Sequence, residues 1–445
     1  MKSESENHKK VQAEEKLDEN LLYNSEFLAE INSKSDEIVE SNDYVNEFFL
    51  YYVIPFIEKI SLLKKQDEGN LILKNNFGDY LKSIFQVVYS ALIIIFYVVT
   101  LPLYVLFRFR ALDNNPLKVN FLTVIRSPAA HSKMAFLKNK GVIFYTDSLV
   151  YQDTEINLSL YSQSLFTRLI GAGVIPWMGF KDFFALFIMA NRHLGFISAV
   201  NVVVYYRKRL AHKVTFEFYL DKLLKNSKLN VFYTGNKEDR FALIEKRLCA
   251  ENGIKIVCTP HGLEYAFKMP AGLVGDVFYC NSQYVKDYLE KLYRSSKTEF
   301  VFDRSIVNQM LSKHIEIQEK KQIIFFPESR EPKKNLAIIQ FLKAQNVNFY
   351  VKLHVKDSLN HYRPFIDEST LVNDFDEAIS NSICLARKST VLLEAVYNNS
   401  IPIAVLVDDK DRDYFEFMFP ALNDESIRKV YSFKELQNLL KRLKI

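Results

Sequence analysis

The 445-residue chain has only four cysteines, Cys249, Cys258, Cys280 and Cys384, and no two of them form a Cys-x-x-Cys pair. Their wide separation argues against a disulfide framework or a thiolate zinc site, and leaves buried thiols in a reducing compartment as the expectation. There is no Gly-x-x-x-x-Gly-Lys-Ser/Thr run, so the chain is not a P-loop nucleotide hydrolase, and no Gly-x-Gly-x-x-Gly follows a strand-like segment. Residues 1–20 are polar and of mixed charge, without the basic and apolar regions of a signal peptide, so the bulk of the chain is expected in the cytoplasm. Charge of one sign is missing too. The chain carries 58 Lys+Arg against 53 Asp+Glu, a net +5, and nucleic acid is not an expected partner.

Apolar residues are abundant, 49% of the chain, enough for two packed domains and an extension. Residues 1–45 form an acidic extension. Residues 46–117 form a helical region that includes an uncharged run over 84–107, long enough to cross a bilayer, with Arg108 and Arg110 after it. The same run suits a buried or in-plane helix, an alternative that Pro102 and the tyrosines keep open. A second apolar stretch, Phe166 to Tyr206, reads as a core helical hairpin or as a surface dipping into lipid.

From Lys118 onward the pattern alternates between strands and helices, which predicts α/β architecture with parallel sheets and ligands at the strands' carboxyl ends. One Rossmann-like domain is expected over 118–300. A connection over 301–321 leads to a second Rossmann-like domain over 322–445.

Four strand-end sites stand out. Thr259-Pro260-His261-Gly262 presents His261 on a tight turn, and Lys352-Leu353-His354 finishes a strand with two donors that alternation places on one face. Arg330 lies in a charged run after strand Ile323 to Phe326, where it could meet a phosphate or simply face solvent. The fourth, Ala386-Arg387-Lys388-Ser389-Thr390, leads from an apolar strand into an apolar helix, with Glu394 about one turn further on. Helix-start N–H groups and the Ser389 and Thr390 hydroxyls suit an anion, and Glu394 suits a ribose, although an ordinary helix cap uses the same residue types.

As a set these motifs resemble the two-Rossmann (GT-B) glycosyltransferases of bacterial surface polysaccharides, over residues 118–440. Bacterial sialyltransferases, polysialyltransferases and Kdo transferases are the most similar branches, and the glycerophosphotransferases of teichoic acid synthesis share the plan. The resemblance implies a metal-independent transferase on the inner face of a bacterial cytoplasmic membrane. Its donor would be a nucleotide-sugar, a CMP-linked sialic-acid-like or Kdo-like sugar among the candidates, and its acceptor a capsule, lipopolysaccharide or O-antigen glycan or glycolipid. No cofactor and no metal are expected, and a polysaccharide-biosynthesis complex is an expected partner.

The resemblance also implies roles. His354, Ser389 and Thr390 would bind the donor phosphate, and Lys352, from the residue pattern itself, would help stabilise the departing negative charge. His261 matches the histidine that acts as base in the glycerophosphotransferase branch. Sialyltransferases take their base from an acidic Asp/Glu-Asp/Glu-Gly motif; none falls within 118–440, and Asp147, at the end of strand Val142 to Tyr145, is the substitute. Where relatives show His-Pro this chain has His354-Val355. Two other functions fit the same residues: a CDP-polyol (glycero)phosphotransferase, and a non-catalytic polysaccharide-binding or export protein.

Overall fold

The computed structural model describes residues 77–107 and 120–443, apart from 148–155, 158–163, 237–239, 267–271, 314–321, 416–418 and several isolated positions that include His261 and Arg330. The expected acidic extension and the start of the helical region, residues 1–76, lie outside the described residues.

Short runs rich in β-branched and aromatic residues form the strands, and most strand residues are buried, as parallel sheets covered on both faces require. The first sheet comprises β1 (Phe121–Ile125), β2 (Ile143–Thr146), β3 (Ile156–Asn157), β4 (Val231–Thr234), β5 (Lys255–Cys258), β6 (Val277–Tyr279) and β7 (Glu299–Val301). All pairs are parallel and the order is β3-β2-β1-β4-β5-β6-β7. The second sheet, β8 (Ile323–Phe326), β9 (Phe349–Val351), β10 (Ile383–Ala386), β11 (Ile401–Val405) and β12 (Arg428–Val430), is also parallel, in the order β12-β11-β10-β8-β9.

The chain is therefore α/β with two Rossmann-like domains. Strand order reverses between β1 and β4 in one sheet and between β8 and β10 in the other, and crevices open at such reversals. Three strands escaped the sequence pattern. All three, β3, β7 and β12, are sheet edges, where pairing on one side demands little of the sequence. The predicted connection over 301–321 carries the last residue of β7 and a helix of its own at Arg304–Leu311, capped by Asp303, whose carboxylate accepts from the Ser305 and Ile306 N–H groups.

The apolar run becomes α1 (Phe77–Phe107), with Pro102 inside it. After β1 and β2 come α2 (Pro128–Met134) in the first crossover and the long α3 (Leu165–Leu194), α4 (Phe196–Tyr206) and α5 (Leu210–Lys225) in the connection to β4. The inner face of α1 is part of the first domain: Ile94, Val98 and Val105 share one core with Leu122 and Val124 of β1, and with Tyr219 and Leu220 of α5. Close approach of α1 and α3 depends on Gly179, where a Cβ would lie 2.5 Å from Val98 Cγ1. The outward faces are different. Among the described residues every exposed large hydrophobic side chain except Tyr284 and Tyr431 lies on α1 or α3.

The domains also share a core. Phe278, Leu289 and Phe300 of the first domain cluster with Phe326, Ala386 and Leu392 of the second.

Candidate functional site

In the second domain the β8–β10 reversal brings Glu328, which follows β8, beside the turn that follows β10. Glu328 Oε1 accepts the Lys388 N–H at 3.0 Å. The Ser389 and Thr390 N–H groups meet no acceptor among the described residues, and Ser389 Oγ is 3.4 Å from the Val391 N–H. The helix behind, α6 (Val391–Val396), is short, and its first flanking residue, Thr390, makes no side-chain cap. What remains of the expected anion grip is the turn itself: two amides, a serine hydroxyl and Lys388.

Arg387, first cation of that turn, points elsewhere. It is 1% exposed and gripped by Asp411 at 2.6 and 2.7 Å and by Glu331 at 2.5 Å. A charge so enclosed is a strut that fixes the turn. Lys388 Nζ lies 3.3 Å from Asp411 and 3.4 Å from Glu331.

These ion pairs set a pH dependence. Burial alone would raise the Glu331 carboxyl, but Lys334, Arg387 and Lys388 outweigh it and hold the group at about 2, below its ordinary 4.5. The folded value is the lower one, so Glu331 supports the fold fully above pH 4.5 and loses that support as pH falls toward 2. Glu328 has the opposite sign. Burial raises it despite Arg387 and Lys388, so its contribution is complete at acid pH and declines as pH rises past its ordinary value. Thermal midpoints should fall across the Glu331 window, and Glu331→Gln should flatten that fall; an identical pH profile in the variant would contradict the assignment.

Lys352 and His354 follow β9, one strand beyond β8, so they stand about 10 Å from the Ser389 turn by strand spacing. The strand stops at Val351, so the alternation expected to put both side chains on one face does not extend to them. Lys352 Nζ folds onto the Leu353 carbonyl at 3.3 Å, and His354 is exposed. Glu394 is 3.1 Å from Lys133 of α2, across the domain boundary. Arg330 and His261 lie outside the described residues.

In the first domain the carboxyl ends of β1, β2 and β4 hold a buried polar group. Asp147 accepts from, or is ion-paired with, His212 Nε2 at 2.6 Å, and the His212 ring lies 4.6 Å from that of Phe241. Beside this pair, Arg126 is salt-bridged to Glu245 and covered by Phe216 and Phe241, while Thr234 Oγ1 donates to Glu245 Oε2 at 2.6 Å. A carboxylate that orients an imidazole is an arrangement able to take a proton from a hydroxyl. Sequence reading named Asp147 and did not name His212, since that histidine comes from α5, sixty-five residues away, with nothing local to mark it.

The two domains meet along these elements. Beyond Lys133–Glu394, the Tyr397 hydroxyl donates to the Asn281 carbonyl at 3.0 Å, and Asn398 bonds the Leu311 carbonyl at 2.8 Å and the Lys313 N–H at 2.8 Å. Elements that follow β1, β6 and β10 at their carboxyl ends thus meet at one boundary. A separate cavity of about 600 Å³ lies at the amino ends of β5 and β6, lined by Lys246, Lys255, Asp276 and Lys297, away from both crevices.

Asp-x-Asp spacing does occur, at Asp374-Phe375-Asp376 and in the overlapping pair Asp409-Lys410-Asp411 and Asp411-Arg412-Asp413. Asp374 caps a helix and Asp411 grips Arg387; no group of three metal-ligating side chains is found among the described residues. An acidic triplet with the sialyltransferase spelling, Asp67-Glu68-Gly69, precedes the α/β region and lies outside the described residues.

No protein-family model and no curated protein matches the chain. Among solved structures, UDP-GlcNAc 2-epimerase from Neisseria meningitidis bound to UDP-GlcNAc is similar at 12% identity, over 74% of this chain and 91% of that one, with a TM-score of 0.45. The two-domain plan described above rests on the strand orders themselves.

Proposed function

We propose that the chain is a GT-B-type glycosyltransferase that takes a sugar from a nucleotide donor and adds it to a glycan or glycolipid at a membrane surface. The observation that carries this reading is the position of the Lys388-Ser389-Thr390 turn at the order reversal of the second sheet, beside the other domain's strand-end elements. Lys388, the Ser389 and Thr390 amides and, from the end of β9 two strands away, Lys352 and His354 would hold the donor's phosphate. Their charge and dipoles stabilise the leaving group as its bond to the sugar breaks. Asp147 with His212, or His261 from the next strand ends, would take the acceptor's proton.

A CMP-linked sugar, a capsule or O-antigen acceptor and a biosynthetic complex belong to this proposal as its finer part. The Asp147–His212 pair favours an enzyme over a binding or export scaffold, since a scaffold has no use for an oriented base.

The outward faces of α1 and α3 support work on a membrane. Their inner faces are built into the domain core, so we place both helices in the plane of the lipid surface rather than across it.

Thermal unfolding with CMP, CDP, UDP and GDP tests the donor site. One nucleotide at ~100 times its dissociation constant should stabilise the protein by about 2.7 kcal/mol. Ser389→Ala and His354→Ala should each remove most of that gain. No stabilisation by any nucleotide, or full stabilisation in both variants, would refute the site.

A further inference from the structure

Two buried polar side chains at the carboxyl ends of β4 and β5 each carry an atom that meets no hydrogen-bond partner among the described residues. Asn236, 7% exposed, leaves its Nδ2 unpaired, and Thr259, 1% exposed, leaves its Oγ1 unpaired. They are neighbours. Thr234 pairs with Cys258 in the sheet, the Thr259 N–H donates to the Thr234 carbonyl at 2.9 Å, and Cys258 Sγ is 3.6 Å from the Asn236 carbonyl. The Asn236 backbone is held as well, its N–H donating to Thr234 Oγ1 at 3.1 Å.

A buried polar group without a partner destabilises a fold by about 1–3 kcal/mol, and a second one beside it compounds the cost. We propose that Asn236 and Thr259 form a subsite that reads the hydroxyl groups of a saccharide ring. The chemistry selects the class. An amide N–H and a hydroxyl, one donor and one donor–acceptor, suit neutral vicinal hydroxyls. A phosphate would want a cation, and the nearby Arg126 is already committed to Glu245. Thr259 also immediately precedes the Pro260-His261-Gly262 turn, so a ring held here lies next to the strand ends where a proton would be removed. The proposal rests on the sugar-transfer reading for the identity of the ligand. The excess of unpaired polar groups it explains stands apart from that reading.

Thr259→Val and Asn236→Leu keep the side-chain shape and remove the unpaired atoms. In the full-length protein without ligand, each should leave the thermal midpoint unchanged or raise it by about 2–4 °C. Saturation-transfer NMR with glucose, galactose, N-acetylglucosamine and N-acetylneuraminic acid should give a signal for at least one sugar, reduced at least fivefold in both variants. A midpoint lowered by more than about 2 °C in either variant would mean that the group has a structural partner or a fixed water, and would overturn the proposal. So would the absence of any saccharide signal from the wild type, or an undiminished one in the variants. Stabilisation by nucleotides, measured on the same variants, should be retained. That retention separates failure of this subsite from failure of the donor site.

Discussion

Exchanging Phe85, Leu92, Phe96 and Leu103 together for serine should release the protein from anionic phospholipid vesicles while leaving its folding intact. All four side chains are exposed on α1, at 71%, 60%, 60% and 38%. Each apolar side chain transferred from water to lipid contributes about 1.5–3 kcal/mol, so the loss of four should lower vesicle partitioning by more than about 100-fold even if only half of each is immersed. The face is large enough to need an occupant. Contiguous apolar patches on soluble monomers rarely exceed a few hundred Å², whereas this one runs the length of Leu81–Phe107 and continues onto Phe166, Leu169, Trp177, Phe184 and Ile188 of α3. One cation borders it: Arg207 lies over the Tyr89 ring at 5.2 Å.

The choice of substitutions matters. Deleting the apolar run outright would remove Ile94, Val98 and Val105 from the domain core and unfold the protein, which would mimic release for the wrong reason. Vesicle flotation of the fourfold variant, with a circular dichroism melt as control, checks the expectation. Retention on vesicles at wild-type level would sink the membrane role of α1.

The second large effect concerns His212. With whichever nucleotide-sugar stabilises the protein, His212→Ala should lower turnover by about 10²–10⁴-fold and leave nucleotide stabilisation unchanged. Asp147→Asn should follow the same direction, since the amide can no longer hold the ring in the tautomer that accepts a proton. Because both groups sit at the carboxyl ends of the first sheet and not at the Ser389 turn, donor binding and turnover should separate. Wild-type turnover in His212→Ala would leave His261 as the base.

Much of this architecture is legible in the residues. Val231-Phe232-Tyr233-Thr234 and Ile383-Cys384-Leu385-Ala386 are strands because β-branched and aromatic side chains favour a pleated, doubly covered surface, and the helices between them force parallel pairing. The four cysteines are buried and free, as their apolar settings led us to expect. The carboxyl-end rule then pointed to the Ser389 turn from its strand end, while Asp147 was named only through the family resemblance.

Roles were another matter. Arg387 reads locally as an anion ligand, but Asp411 and Glu331 bind it first, because a cation enclosed by the fold must be paired where it lies. The sequence by itself determined the α/β alternation, the apolar helices and the positions of the strand ends, since periodicity and local chemistry act over a few residues. Only the tertiary structure decided that α1 lies against the first domain's core, that His212 meets Asp147, and that the turns carrying Asn236 and Thr259 follow paired strands. Those contacts join segments tens to more than a hundred residues apart, and their energies depend on burial and partners that no local pattern encodes.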